Sequence, residues 1–172
     1  MTIVSKLNIY KIDSEYIEYL QQFEKCIAKP KNNRPYVGIL VFSNNDFDYF
    51  APLTSKINKP EFYCVKLFNE NGEKIAGVRI NNMIPIPRKS TSKIAKQIKY
   101  EELLKSKNHS IIRYANLLKQ EVRSLNKKLI AIEIYKKARK FYNNYKYKNS
   151  IRNICLDFKK LEEESLKYKI SK

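Results

Sequence analysis

The sequence predicts an α+β fold, an antiparallel β-sheet drawn mostly from the first half of the chain with helices from the second laid upon it. Three observations carry this. Between residues 7 and 87, apolar, β-branched and aromatic residues come in short runs separated by Asn, Asp, Gly and Pro, the punctuation of strands and hairpins. Beyond residue 93 the apolar residues recur at intervals of three and four, the spacing of helices that bury one face. A chain of 172 residues is the size of one domain with one core. The expected domain is thus 1–172, with the sheet mostly in 7–87 and a basic helical part in 93–170.

Residues 7–12 alternate apolar and polar and predict a short strand. Asp13 then caps a helix whose Tyr16, Ile17, Leu20 and Phe23 share one face, and which should end near Pro30. A basic loop follows over 29–34. Residues 36–42 are dense in Val, Ile and aromatics, Ser43 to Asp46 make a turn, and 47–53 return, so an antiparallel hairpin is expected. Such a pair sets the start of its first strand beside the end of its second, which gathers Arg34, Thr54, Ser55 and Lys56 at one edge. Two more strands, 61–68 and 74–80, flank the turn Asn69-Glu70-Asn71-Gly72. Residues 81–87 make a last edge strand, because Pro85 and Pro87 exclude a central place. Helices are then expected over 93–105, 109–125 and 127–147, the second burying Ile111, Tyr114, Leu118, Val122 and Leu125. A short strand over 149–156 and a helix capped by Asp157 close the chain.

Charge sets the class of partner. The formal net charge is +18, a field that attracts polyanions. Residues 1–86 carry 11 basic and 9 acidic side chains, and residues 87–172 carry 24 and 8, so the helical half holds nearly all of it. Nucleic acid is the first expectation. The candidate contacts in the first half are Lys31 and Lys59. From the segment after the sheet come Arg88, Lys89, Lys93 and Lys96. The long helices add Arg113, Lys119, Arg123, Lys127, Lys136, Arg139 and Lys140. Tyr135, Phe141, Tyr142, Tyr145 and Tyr147 interleave with this run, and aromatic faces among cations suit unpaired bases as well as a core. No stretch is apolar enough to span a bilayer, and the first residues lack the pattern of a secretory signal; a cytoplasmic protein with no membrane partner is expected. Cys26, Cys64 and Cys155 lack paired spacing and predict buried or half-buried free thiols.

The residues narrow the chemistry. One histidine, His109, at a helix start, excludes a two-histidine ribonuclease mechanism within the chain. Scattered acids do not predict a metal site, and Gly38, Gly72 and Gly77 form no phosphate loop. No cofactor is expected. What remains is metal-independent RNA cleavage, in which the 2′-hydroxyl attacks the adjacent phosphate and leaves a 2′,3′-cyclic phosphate. That path needs cations, met by Lys56 and Arg34, and polar groups to orient the phosphate or relay protons, met by Ser55 and Thr54.

Several blocks carry a resemblance: Ile9-Tyr10-Lys11-Ile12, Tyr36-Val37-Gly38-Ile39, Tyr49-Phe50-Ala51-Pro52-Leu53-Thr54-Ser55, Asn82-Met83-Ile84-Pro85-Ile86, and Cys155-Leu156-Asp157-Phe158. In this order they resemble the ToxN/AbiQ family, the endoribonuclease toxins of type III toxin–antitoxin systems, nearly end to end. The resemblance implies a highly twisted antiparallel sheet similar to that of MazF-like toxins, wrapped by helices. It implies metal-independent cleavage of cellular or phage RNA at adenine-rich sites and a role in phage defence by abortive infection. The inhibitor it implies is a repeated small pseudoknot RNA, cut by the toxin from a precursor and held in a closed protein–RNA assembly. The family's essential Ser carries over to Ser55, beside Thr54, and its basic residue before the next strand, more often Lys, to Arg34. Two departures stand out. Ile57 holds the position where the family often has Lys, leaving Lys56 or Lys59 for that role, and the family's loop Tyr has no counterpart in 29–33. From the residues alone, a non-catalytic RNA-binding module stays open as the alternative function, with a peripheral membrane protein behind it.

Overall fold

The structure, a computed structural model, describes residues 6–28, 34–39, 46–56 and 58–170. A seven-stranded sheet is formed by β1 (Ile9–Ile12), β2 (Tyr36–Ile39), β3 (Phe47–Thr54), β4 (Cys64–Phe68), β5 (Lys74–Arg79), β6 (Ile84–Pro87) and β7 (Ala95–Gln97), ordered β4-β5-β3-β2-β1-β7 with β6 also on β3. All the pairings are antiparallel. The hairpin of β2 and β3 is present, with Tyr36 opposite Pro52 and Ile39 opposite Tyr49. Its expected turn at 43–45, like residues 40–42 and the basic loop at 29–33, lies outside the described residues.

β3 is the hub. Its start pairs with β6 and its last two residues, Leu53 and Thr54, pair with Val78 and Gly77 of β5, while β2 pairs along its middle. Six aromatic side chains, Tyr16, Tyr36, Tyr49, Phe50, Phe141 and Phe158, are among the largest fully buried groups, and burial of such rings dominates a core. β6 lies at an edge as its two prolines require; Tyr16 spans from α1 (Ser14–Gln21) to donate its hydroxyl proton to the Pro85 carbonyl at 2.6 Å. The turn between β4 and β5 is the expected one, with Gly72 at φ +78°, a left-handed conformation that glycine adopts without cost.

The long helices α4 (His109–Leu125) and α5 (Lys128–Asn144) form where expected and pack on β4. Ser124 of α4 accepts the Phe68 N–H at the outer side of β4, 2.9 Å away. α7 (Phe158–Ser165) is capped by Asp157, which accepts from the Lys160 N–H, and lies against β6. Its Glu162 is buried yet satisfied: the Tyr49 and Tyr142 hydroxyls donate at 2.5 and 2.8 Å and the Lys159 ammonium at 3.0 Å. A buried carboxylate so partnered ties helix to sheet, whereas a bare one would be costly.

Several elements differ from expectation. α1 ends at Gln21 well short of Pro30, because the Gln21 amide turns back to the Ile27 carbonyl at 3.1 Å and the chain closes into turns. The helix expected over 93–105 is instead a helical turn α2 (Thr91–Ile94), the strand β7 and a second turn α3 (Tyr100–Leu103). The free edge of β1 decides this, taking Ala95, Lys96 and Gln97 as partners and accepting the Ile98 N–H on Ile9. The strand expected over 149–156 is the short helix α6 (Asn149–Arg152), whose Ile151 is buried. Ile111 is 38% exposed rather than core, and Cys26 is exposed.

Candidate active site

The hairpin delivers its two ends together. The Leu53 N–H donates to the Pro35 carbonyl at 2.9 Å, and the register that sets Tyr36 opposite Pro52 carries on to set Arg34 opposite Thr54. On its other side Thr54 faces Gly77, and Gly77 faces Lys66 of β4. Directly opposed residues of an antiparallel sheet share a face, so Thr54, Gly77 and Lys66 belong to one row across β3, β5 and β4, and Arg34 stands just before β2 at its end. Gly77 is the gap in it. A Cβ there would stand 2.5 Å from the Cys64 Sγ and 3.6 Å from the Thr54 Cγ2.

Past Thr54 the chain leaves the sheet. The Thr54 hydroxyl accepts the Lys56 N–H at 3.2 Å, the local bond by which Thr bends a backbone, and it keeps its own proton to donate. Ser55 and Lys56 are exposed. With Asn58 and Lys59 they line an open depression of about 420 Å³. The far side of this loop is pinned, since the Lys66 ammonium, on a side chain only 7% exposed, donates to the Lys59 carbonyl. Ile57 lies outside the described residues.

Charge beneath the row is mostly positive. Burial raises the Cys64 thiol above its ordinary range while Lys66, Arg79, Lys137 and Lys59 all act to lower it, which places four cations around one buried sulfur. The Tyr36 phenol is pushed up to about 12 by burial, opposed by Arg34. Arg34 Nε, Tyr36 Oη and Arg79 Nε are buried with no hydrogen-bond partner. Buried donors without acceptors are rare and are costly unless something with acceptor oxygens comes to meet them. A larger depression, about 490 Å³, is lined by Glu24, Tyr145, Lys146, Arg152, Cys155, Leu156 and Asp157. Its acids offset its cations and its tyrosine hydroxyl already meets Asp157 at 3.1 Å, so the smaller depression at Ser55, whose charged lining residues are Lys56 and Lys59, is the better anion site.

The other basic residues singled out in the sequence spread over the surface. Lys89, Lys93, Lys96, Arg113, Lys127, Lys136, Arg139 and Lys140 are exposed, and Lys119 and Lys59 half-buried. Two are engaged by acids: Arg88 Nε meets Asp48 at 3.2 Å, and Arg123 meets Glu70 at 2.6 Å. Lys31 lies outside the described residues. Of the interleaved aromatics, Phe141 and Tyr145 are core, Tyr135 and Tyr142 half-buried, and Tyr147 is 83% exposed. His109 is exposed at the start of α4.

The family model described as Toxin ToxN, type III toxin-antitoxin system, matches residues 8–166. The chain belongs to the ToxN family. Endoribonuclease ToxN of Bacillus thuringiensis subsp. kurstaki is 30% identical over 98% of this chain and 88% of its own length. Endoribonuclease AbiQ of Lactococcus lactis subsp. lactis is 41% identical over 58 residues, 32% of this chain and 31% of its own. A solved structure concerned with selective toxin inhibition by a non-coding RNA pseudoknot in bacterial type III systems superposes with a TM-score of 0.83. It is 30% identical, over 97% of this chain and all of the other. The fold of the lactococcal anti-phage endoribonuclease AbiQ is shared at a TM-score of 0.78 and 23% identity, over 95% and 98% of the two chains. The α+β fold read from the sequence is therefore the ToxN fold.

At this candidate site the sequence reading missed Lys66, whose ammonium holds the Lys59 carbonyl. Lys66 sits in Cys64-Val65-Lys66-Leu67-Phe68, where one polar residue among apolar ones passes for a solvent-facing position.

Proposed function

We propose that this endoribonuclease of the ToxN family cuts RNA at the rim of its β2–β3 hairpin without a metal. The observation that carries the reading is the meeting of Arg34, Thr54, Ser55, Lys56 and Lys59 at that rim. The 2′-oxygen of one ribose bonds to the adjacent phosphorus, the bond from phosphorus to the 5′-oxygen breaks, and the products end in a 2′,3′-cyclic phosphate and a 5′-hydroxyl. One proton leaves the 2′-oxygen and one arrives on the 5′-oxygen. Lys56 and Arg34 stabilise the charge that builds on the phosphoryl oxygens, the kind of preorganised electrostatic help that lowers such barriers most. Ser55 and Thr54 donate hydrogen bonds that orient the phosphate, and Lys59 takes part in holding it. The basic residues of the helical half bind the flanking strand.

The reading extends to the inhibitor: a repeated small pseudoknot RNA that the protein processes, and that then covers the rim by binding many phosphates in a closed protein–RNA assembly. Cytoplasmic residence follows from that pairing. The test is incubation of purified protein with labelled single-stranded RNA in EDTA. Products with cyclic phosphate ends are expected, together with an uncut DNA of the same sequence. Ser55→Ala should lose cutting and keep RNA binding; a variant that cuts at the original rate removes Ser55 from the site. RNA that stays whole with the original protein would favour the alternative, a non-catalytic RNA-binding module.

A further inference from the structure

We propose that Phe62 is a stacking platform for an unpaired RNA base beside the cleavage rim, with Lys140 as its phosphate partner; this rests on the function proposed above and adds a subsite to it. Phe62 is a large apolar side chain left 43% exposed, and single exposed apolar residues are common. This one differs in being fixed, flanked by a cation and well placed. Its ring rests on Phe141 of the core at 5.6 Å between centroids and 54° between planes, so it is held while still open to solvent. The Lys140 ammonium stands over the ring at 5.4 Å from its centroid, close enough for a cation–π attraction.

The backbone on both sides of Phe62 is held by hydrogen bonds. Lys137 of α5 donates to the Glu61 carbonyl and Lys66 to the Lys59 carbonyl, while the N–H groups of Tyr63 and Cys64 both turn back to the Pro60 carbonyl. The segment 58–63 is thereby a rigid arm. Lys59 at its start lines the Ser55 depression, and three residues of chain span at most about 11 Å, so the ring lies within reach of a nucleotide neighbouring the bound phosphate. A rigid aromatic face with cations around it is what single-stranded nucleic acid binds, the base on the ring and the phosphate on the ammonium. Phe62 lies outside the aromatics that the basic helical run suggested, two of which, Phe141 and Tyr145, the fold has taken for its core.

The test uses the full chain and a fluorescein-labelled 12-nucleotide single strand with 2′-O-methyl riboses, which cannot undergo 2′ attack, together with a duplex of the same length. Phe62→Ala and Phe62→Leu should weaken single-strand binding about fivefold to a hundredfold. Phe62→Trp should bind at least as well as the original, and the duplex should bind all four alike. Lys140→Ala should lower the slope of log affinity on log salt by about 0.7 while Phe62→Leu leaves it unchanged. Phe62→Leu keeps apolar bulk against Phe141, so it decides the matter even where Phe62→Ala lowers the melting temperature. Equal single-strand binding by the leucine variant and the original overturns the platform, as does an equal loss on duplex. Cleavage of unmodified RNA is measured on the same preparations. A protein that cuts but ignores the Phe62 changes sinks the platform alone, and one that shows the Phe62 pattern without cutting sinks the nuclease reading alone.

Discussion

Gly77→Ala tests the cross-strand row directly. Its added methyl group would lie 2.5 Å from the Cys64 Sγ, closer than nonbonded atoms tolerate, but 3.6 Å from the Thr54 Cγ2, an ordinary contact. The strain therefore falls on β4 and not on the hairpin rim at Thr54. Cys64 is fully buried, so its sulfur has only rotation about χ1 within a packed strand as an escape, and overpacking of this kind costs about 1–3 kcal/mol. Urea denaturation should show that loss in Gly77→Ala. Cys64→Ala removes the clashing atom, so the double variant should recover most of it, with a favourable coupling of about 1 kcal/mol or more in a double-mutant cycle. RNA cleavage per folded molecule should match the original in the double variant. The reasoning fails if Gly77→Ala unfolds at the original urea concentration, or if the two substitutions simply add.

Two further outcomes are expected. Lys66→Met keeps the buried volume and removes the donor that pins Lys59; a bond from an ammonium is about 1.5–3 kcal/mol, so turnover should fall about tenfold to a hundredfold with RNA affinity retained, and turnover within twofold of the original would rule the anchor out. Burial lifts the Glu121 carboxyl of α4 from its ordinary 4.5 to about 7. The folded state then keeps a proton that the unfolded chain releases near 4.5. Stability should be fullest below that pH, fall by about 3 kcal/mol as pH rises to about 7, and level off above. Glu121→Gln should abolish this slope in melts across the window, and equal slopes in both proteins would refute it.

The rim was legible in the sequence because strand pairing is a local rule. Once residues 36–42 and 47–53 are read as a hairpin, the opposition of Arg34 and Thr54 follows from geometry alone. Lys66 needed the second hairpin to be docked on β3 in register, which no local pattern specifies. β7 was misread for the opposite reason. Ile94 and Ile98 stand four apart, as on a helix, but the unpaired edge of β1 offered backbone partners that outweigh spacing. α6 replaced an expected strand because one buried side chain, Ile151, anchors the segment, which a single turn of helix achieves as well as a strand.

The flanks of the sheet have a consequence for how the protein behaves when concentrated. On β6, two of four residues lack an amide hydrogen, and Tyr16 already occupies the Pro85 carbonyl. On β4, Ser124 takes the Phe68 amide, and on the far side β7 offers only three residues, with Lys96 and Gln97 exposed. A second molecule seeking to prolong the sheet would meet prolines, a hydroxyl plug or a short charged stub, the usual guards against fibril growth. Copies of so basic a chain also repel one another, so self-recruitment into ribbons is blocked at the backbone as well as by charge.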